Sequence, residues 1–121
     1  MRYLFVGIAG GLAAVARYTA SVAVGVRGFP YATLAVNVTG CFLYGVLVPL
    51  VAAGRIPRDL GTAVTVGFLG AYTTFATFGW ESFSLIRTHR VGLAVTYVAA
   101  SVCLGVAAAG GGWLVSRTIA R

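Results

Sequence analysis

Residues 67–81 read GFLGAYTTFATFGWE. The stretch lies inside a long apolar run, yet it holds three threonines, three glycines and one of only two acidic residues in the chain, Glu81. Gly67, Gly70 and the β-branched pair Thr73 and Thr74 disfavour a continuous helix, so the composition predicts a break near the middle of that run. A break frees backbone carbonyls, which lipid does not tolerate. Such carbonyls must be buried in protein, line a cavity or bind a cation, and a hard, weakly demanding ion such as Na⁺ suits them. Phe75 and Phe78 follow, three apart and on one side of a helix. Core packing is the plainer role for such a pair.

Other polar side chains sit where apolar ones are expected. Asn37 lies in the middle of ATLAVNVTG, with Thr33 one turn earlier on the same face. Its amide has two donor hydrogens and an acceptor oxygen, which equip it either to bind a solute or to glue two helices. Tyr97 and Ser101 repeat the four-residue spacing in a later run. A lone hydroxyl usually satisfies a carbonyl of its own helix, so neither pair is decisive alone. Arg17 is deep in the first apolar run; it either snorkels to an interface or serves a polar cavity. Cys41 and Cys103 lack metal-ligand spacing and read as small buried hydrophobes.

The elements that must position these groups are long and apolar. Of 121 residues, 60% are hydrophobic and only 9% charged, against about a quarter charged in a soluble domain. Four runs, roughly 3–26, 31–53, 60–86 and 91–115, are separated by RGFP, GRIPRD and RTHR. Each suits one helical crossing of about 20 residues, and none alternates as a barrel strand would. The expected fold is therefore an all-α membrane protein, residues 1–121 forming one transmembrane domain of four helices. The first run contains Arg17 and has no polar cleavage region, so it reads as a retained span and not a signal peptide. Gly7, Gly10, Gly11, Ala14 and Tyr18 predict a close-packing face on the first helix, and Gly110, Gly111 and Gly112 predict a loosened end of the fourth.

The net charge of +7 does not point to nucleic acid, because the arginines fall between the apolar runs as interfacial anchors. With four spans, Arg2, Arg55, Arg58, Arg117 and Arg121 share one side, and Arg27, Arg87 and Arg90 the other. So slight an excess orients a chain weakly and permits insertion both ways up. Four short helices fill their own core, so a solute path is easier to build between two copies, and size alone favours a homodimer. No nucleophile–base pair or metal-hydrolase cluster stands out, which argues against an enzyme.

The motifs AGGLAAVARY, TLAVNVTGCFLYG and GFLGAYTTFATFGWE, in this order and over essentially the whole chain, resemble the Fluc family of fluoride channels, also called CrcB. The resemblance implies an antiparallel, dual-topology dimer in the cell membrane of a bacterium or archaeon. The broken third helices would meet at a central Na⁺, and two pores would run along the subunit interface. Residue by residue, it implies that Phe75 and Phe78 form the aromatic box and that Asn37 is the pore amide. Thr33 and Thr77 would be polar neighbours, and Arg17 the vestibule arginine. Gly70 and Thr73 would give carbonyls to Na⁺. Glu81 matches the acidic residue that usually follows the motif.

These residue types suit fluoride, which is small and strongly hydrated. Conduction needs both entry and exit, so neutral donors such as Asn37, Thr33 and Ser101 serve better than a file of cations. Phenyl edges are positive and offer C–H groups to an anion. The chain departs from the family at Ala76, where serine is usual. The fourth helix departs too, running Tyr97, Ser101, Gly105, Ala109 where a longer ladder of hydroxyls is expected. Either a water at the exposed Gly105 backbone supplies the missing donor, or a related second chain does, making this one a partner subunit of a heterodimer. A small proton-coupled carrier is the remaining alternative, disfavoured because no carboxylate lies in the first helix.

Overall fold

The structure is a computed structural model that describes residues 1–25 and 27–120. Val26, at the expected end of the first run, and Arg121, one of the expected anchors, lie outside the described residues. Every regular element among the described residues is helical. The first two runs form α1 (Arg2–Val24) and α2 (Tyr31–Ala52). The third is divided: α3 (Arg58–Thr62), a π-helical stretch (Ala63–Leu69), α4 (Gly70–Tyr72) and α5 (Phe75–Arg87). Between α4 and α5 the backbone is extended at Thr73 (φ −75°, ψ 156°) and Thr74 (φ −146°, ψ 112°). The last run is α6 (Val91–Ile119), which continues past the expected end near 115. Three helices, α1, α2 and α6, are each long and apolar enough to cross a membrane.

Little of the apolar side-chain surface is buried within one chain. Ala13, Val36, Leu69, Ala94 and Tyr97 are buried, while Leu4, Leu12, Val22, Phe75, Trp80, Val106 and Leu114 are among many large side chains left exposed. Such a surface is stable in hydrocarbon, where helices gain nothing by hiding leucine from lipid and are held instead by close van der Waals packing. Glycine supplies the closeness. A Cβ at Gly45 would collide with the Ala109 carbonyl, and one at Gly112 with the Phe42 carbonyl, so α2 and α6 touch backbone to backbone. A Cβ at Gly67 would lie 2.7 Å from the Val6 carbonyl, which ties the π-helical stretch to α1.

Two sequence expectations about glycine need correction. Of the expected packing face of α1 (Gly7, Gly10, Gly11, Ala14 and Tyr18), only Gly10 packs within the chain. Gly7 and Gly11 have nothing within 4 Å, and Ala14 and Tyr18 are exposed. Ala13 is fully buried instead, and Gly10 faces the Gly67 carbonyl. Small residues occur on both sides of α1, and the one that packs is the one that meets the glycine-cut surface of the π-helical stretch. Nor do Gly110, Gly111 and Gly112 loosen α6, which runs unbroken through them because Gly112 is pressed against α2.

Polar ties close the two ends of the bundle. At one end Arg2 pairs with Asp59 at 2.7 Å, and Arg55 Nη2 donates to the Ala120 carbonyl at 2.7 Å. The start of α1, the α2–α3 connection and the end of α6 therefore lie together. At the other end a Cβ on Gly28 would be 3.0 Å from Arg90 Nη2, so the α1–α2 and α5–α6 connections touch.

Candidate functional site

The extended residues Thr73 and Thr74 organise the site. In a continuous helix the Thr74 N–H would bond the Gly70 carbonyl. It donates instead to Asn37 Oδ1 at 2.9 Å, and Asn37 Nδ2 donates back to the Thr74 carbonyl at 3.2 Å. One amide thus satisfies both polar groups of an extended residue, as backbone in an apolar setting requires. The Thr74 hydroxyl then caps α5, accepting from the Thr77 N–H at 3.2 Å while donating to the Thr77 hydroxyl at 2.9 Å. Gly40 gives the room: a Cβ there would collide with the Thr73 methyl. The Gly70 carbonyl is left without its ladder donor.

α5 begins at Phe75, so both phenylalanines project from its first turn. Their ring centroids are 5.8 Å apart at an interplanar angle of 42°. Phe78 also lies 5.2 Å from the ring of Tyr97 on α6, whereas Phe75 is 84% exposed in the single chain. A groove of about 340 Å³ is lined by Asn37, Cys41, Thr73, Phe75, Phe78 and Ser101, among others. The Ser101 hydroxyl oxygen is buried there without a hydrogen-bond partner among the described residues.

The remaining expected residues lie on the opposite side of the Asn37–Thr74 pair. Arg17, Thr33, Thr74 and Thr77 line a second groove of about 170 Å³, with Ser21. Thr33 and Thr77 also line a third, of about 560 Å³, whose margin carries Arg27 and Arg90 and whose wall includes Glu81. Glu81 holds two of the hydroxyls expected for a solute. Thr33 Oγ1 donates to its Oε1 at 2.9 Å, and Tyr97, 0% exposed, donates to its Oε2 at 2.7 Å. Tyr97 therefore lines none of these grooves; it bonds Glu81 and packs against the tilted ring of Phe78. Gly70 lies on the exposed surface of the chain, outside all three grooves.

The structure thus assembles Asn37, Phe75, Phe78 and Ser101 in one groove and Arg17, Thr33 and Thr77 in another, with the Thr73–Thr74 backbone between them. Sequence reasoning missed Thr74, the partner of Asn37, because no spacing rule links residues 37 positions apart. It also set Cys41 aside as a buried hydrophobe, although Asn37 lies four positions before it on the same helical face and could have drawn attention to it.

Comparison with known proteins gives this arrangement its setting. The family described as CrcB-like protein, Camphor Resistance (CrcB), matches residues 4–113. The chain belongs to that family. Among its relatives, the Fluoride-specific ion channel FluC of Acidobacterium capsulatum is 42% identical, covering 98% of both chains. That of Solibacter usitatus is 39% identical over 97% of this chain and 99% of its own. A protein of Geobacillus kaustophilus named Fluoride-specific ion channel FluC 2 is 41% identical over 97% of this chain and 94% of its own. This CrcB-like chain is a multi-pass membrane protein, with its polar side chains gathered around the extended segment in the third apolar run.

Proposed function

We propose that the chain is a fluoride-selective ion channel that lets F⁻ leave the cell passively across the cell membrane and so limits fluoride in the cytoplasm. The observation that carries this reading is the groove in which two phenyl rings, an amide and a hydroxyl without a partner among the described residues converge, with no charged side chain in its lining. Phenyl edges and neutral donors replace the hydration of a small anion without trapping it. Arg17, among hydroxyls in the adjoining groove, attracts anions to that side of the extended segment. The names of the relatives supply the ion, and a channel performs no covalent chemistry.

The working unit is an antiparallel dimer with four spans per subunit, the third interrupted at Thr73 and Thr74. Phe75, so exposed in one chain, faces the partner and completes the pore wall. The Gly70 carbonyl, freed from the ladder on the outer surface, fits a hard-cation site, and Gly70 and Thr73 would hold Na⁺ there through backbone oxygens. When bound, that ion joins the subunits and adds positive potential beside the pores. A homodimer is favoured over a partner subunit because Asn37, Phe75, Phe78 and Ser101 share a groove, which a purely structural partner would not need.

The test is fluoride efflux from liposomes containing only this chain, with chloride as the control ion. Fluoride should leave at a rate set by protein content while chloride stays. Equal loss of both ions, or of neither, removes the reading. Protein prepared without Na⁺ should lose flux or dimer stability, and Na⁺ should restore it better than K⁺.

A further inference from the structure

The hydroxyl series on α6 stops early: Tyr97 and Ser101 are followed at the same spacing by Gly105 and Ala109. We propose that Cys41 of α2 supplies the missing step, its thiol donating to the ion where α6 has only the backbone of Gly105. The inference rests on the channel reading above and assigns a further residue to the same path.

Three observations place the thiol there. A Cβ built on Gly105 would lie 3.5 Å from Cys41 Sγ, so the sulfur sits beside the position a side chain at 105 would take. Gly105 is buried, and α2 and α6 approach so closely at Gly45 and Gly112 that a side chain of one helix can occupy a slot left by the other. Cys41 and Ser101 also line the same groove as Asn37, Phe75 and Phe78.

The second indication of a ligand comes from Ser101. Its hydroxyl oxygen is buried yet has no hydrogen-bond partner among the described residues, although the usual alternative, a carbonyl one turn back in its own helix, is always at hand. A buried hydroxyl left unpaired is costly. A visiting anion removes that cost, and Ser101 then passes it towards the neighbouring thiol. Cys41 lies four residues after Asn37, so the amide and the thiol stand one turn apart on one face of α2. An S–H group is a weak donor. Weakness is an advantage here, since a single-file ion must be released as readily as it is accepted. With Cys41 in place the path needs neither a bound water at Gly105 nor a second kind of chain.

The experiment uses the full chain in liposomes with Cys103, which is exposed and outside the groove, replaced by alanine. Cys41→Ser keeps a donor, though a stronger one that releases the ion less readily, and should retain most of the parent's fluoride flux, well above Cys41→Ala. Cys41→Ala removes it and should lower flux about five- to tenfold, the effect of one lost neutral hydrogen bond. Methyl methanethiosulfonate, which caps the thiol as a methyl disulfide, should block the parent, and dithiothreitol should restore it; Cys41→Ser should ignore both. Alanine and serine variants reduced alike would make Cys41 a packing residue and overturn the proposal. So would an alanine variant that conducts normally, or a parent indifferent to the reagent. A parent that carries no fluoride overturns the channel reading itself, and that arm is read before any variant.

Discussion

Asn37 has two tasks at one amide. It holds the extended backbone at Thr74 through a donor and an acceptor, and it forms part of the groove wall. The tasks separate by substitution. Asn37→Asp keeps the oxygen that accepts from the Thr74 N–H, loses the donor to the Thr74 carbonyl and, when ionised, sets negative charge on an anion path. Dimers should assemble and fluoride flux should fall to background. Asn37→Ser keeps a donor but is too short to bridge Thr74, so it should cost about 1–3 kcal/mol of stability for the backbone groups left unpaired. Thermal unfolding beside efflux distinguishes the two, and an aspartate variant that conducts normally would leave Asn37 as helix glue alone. The phenylalanines behave differently again. Phe75→Ile and Phe78→Ile both remove a ring edge and should both abolish most flux. Both lose the contact between the two rings, and Phe78→Ile loses the ring of Tyr97 as well, for about 0.5–1.5 kcal/mol more. Normal flux in both variants would return the pair to ordinary packing. Asn37 stood out in the sequence because an amide is out of place in a plain apolar helix, whereas Phe75 and Phe78 were singled out only by the family resemblance, since a phenylalanine pair by itself reads as core packing. The engagement of Thr33 and Tyr97 with Glu81 was not legible, since it depends on where α2, α5 and α6 meet.

At the scale of elements, the glycines divide into those that set helix spacing and those that face open space. Gly112→Ala would drive a methyl into the Phe42 carbonyl, and backbone cannot step aside as a side chain can. The expected cost is about 1–3 kcal/mol, the usual range for overpacking, with dimer yield in detergent falling accordingly. Gly11→Ala meets nothing within 4 Å and should leave yield and flux unchanged. Equal behaviour of the two would mean that α2 and α6 are not held by backbone proximity. This division explains what the sequence withheld. The apolar runs announce α1, α2 and α6 by length alone, but small residues lie on several faces of α1, and only the surface opposite selects Gly10 and Ala13. The end of α6 was read too early for a similar reason. Ser116 is buried, and the Arg117 guanidinium lies 4.9 Å from the Trp113 ring centroid, so the last turn is anchored by contacts that hydropathy does not register. The π-helical stretch at Ala63–Leu69 has no sequence signature in its apolar composition, yet it brings Gly67 against α1 just before the chain extends at Thr73.

At the scale of the molecule, charge placement and surface composition lead to one expectation about assembly. The Arg2–Asp59 pair leaves the orienting count almost unchanged, because acidic residues contribute little to orientation. Five arginines on that side face Arg27, Arg87 and Arg90 on the other, a small excess. A chain so evenly weighted is expected to insert in both directions, which is what the proposed antiparallel dimer requires of a single sequence. Fusing the C-terminus to a reporter active only in the cytoplasm, and separately to one active only outside, should give signal from both. Two or three added lysines beside Arg117 should then silence the outer reporter by committing every copy to one orientation. Antiparallel pairs can no longer form, so fluoride flux from cells should fall to background even though the protein is inserted in normal amount. The same lysines should be harmless when co-expressed with a copy bearing matching lysines beside Arg90, because the two then insert oppositely and pair. Restored flux in that mixture, with none from either copy alone, identifies the antiparallel dimer as the conducting unit. Undiminished flux from the single-orientation chain would place the pore in a parallel assembly.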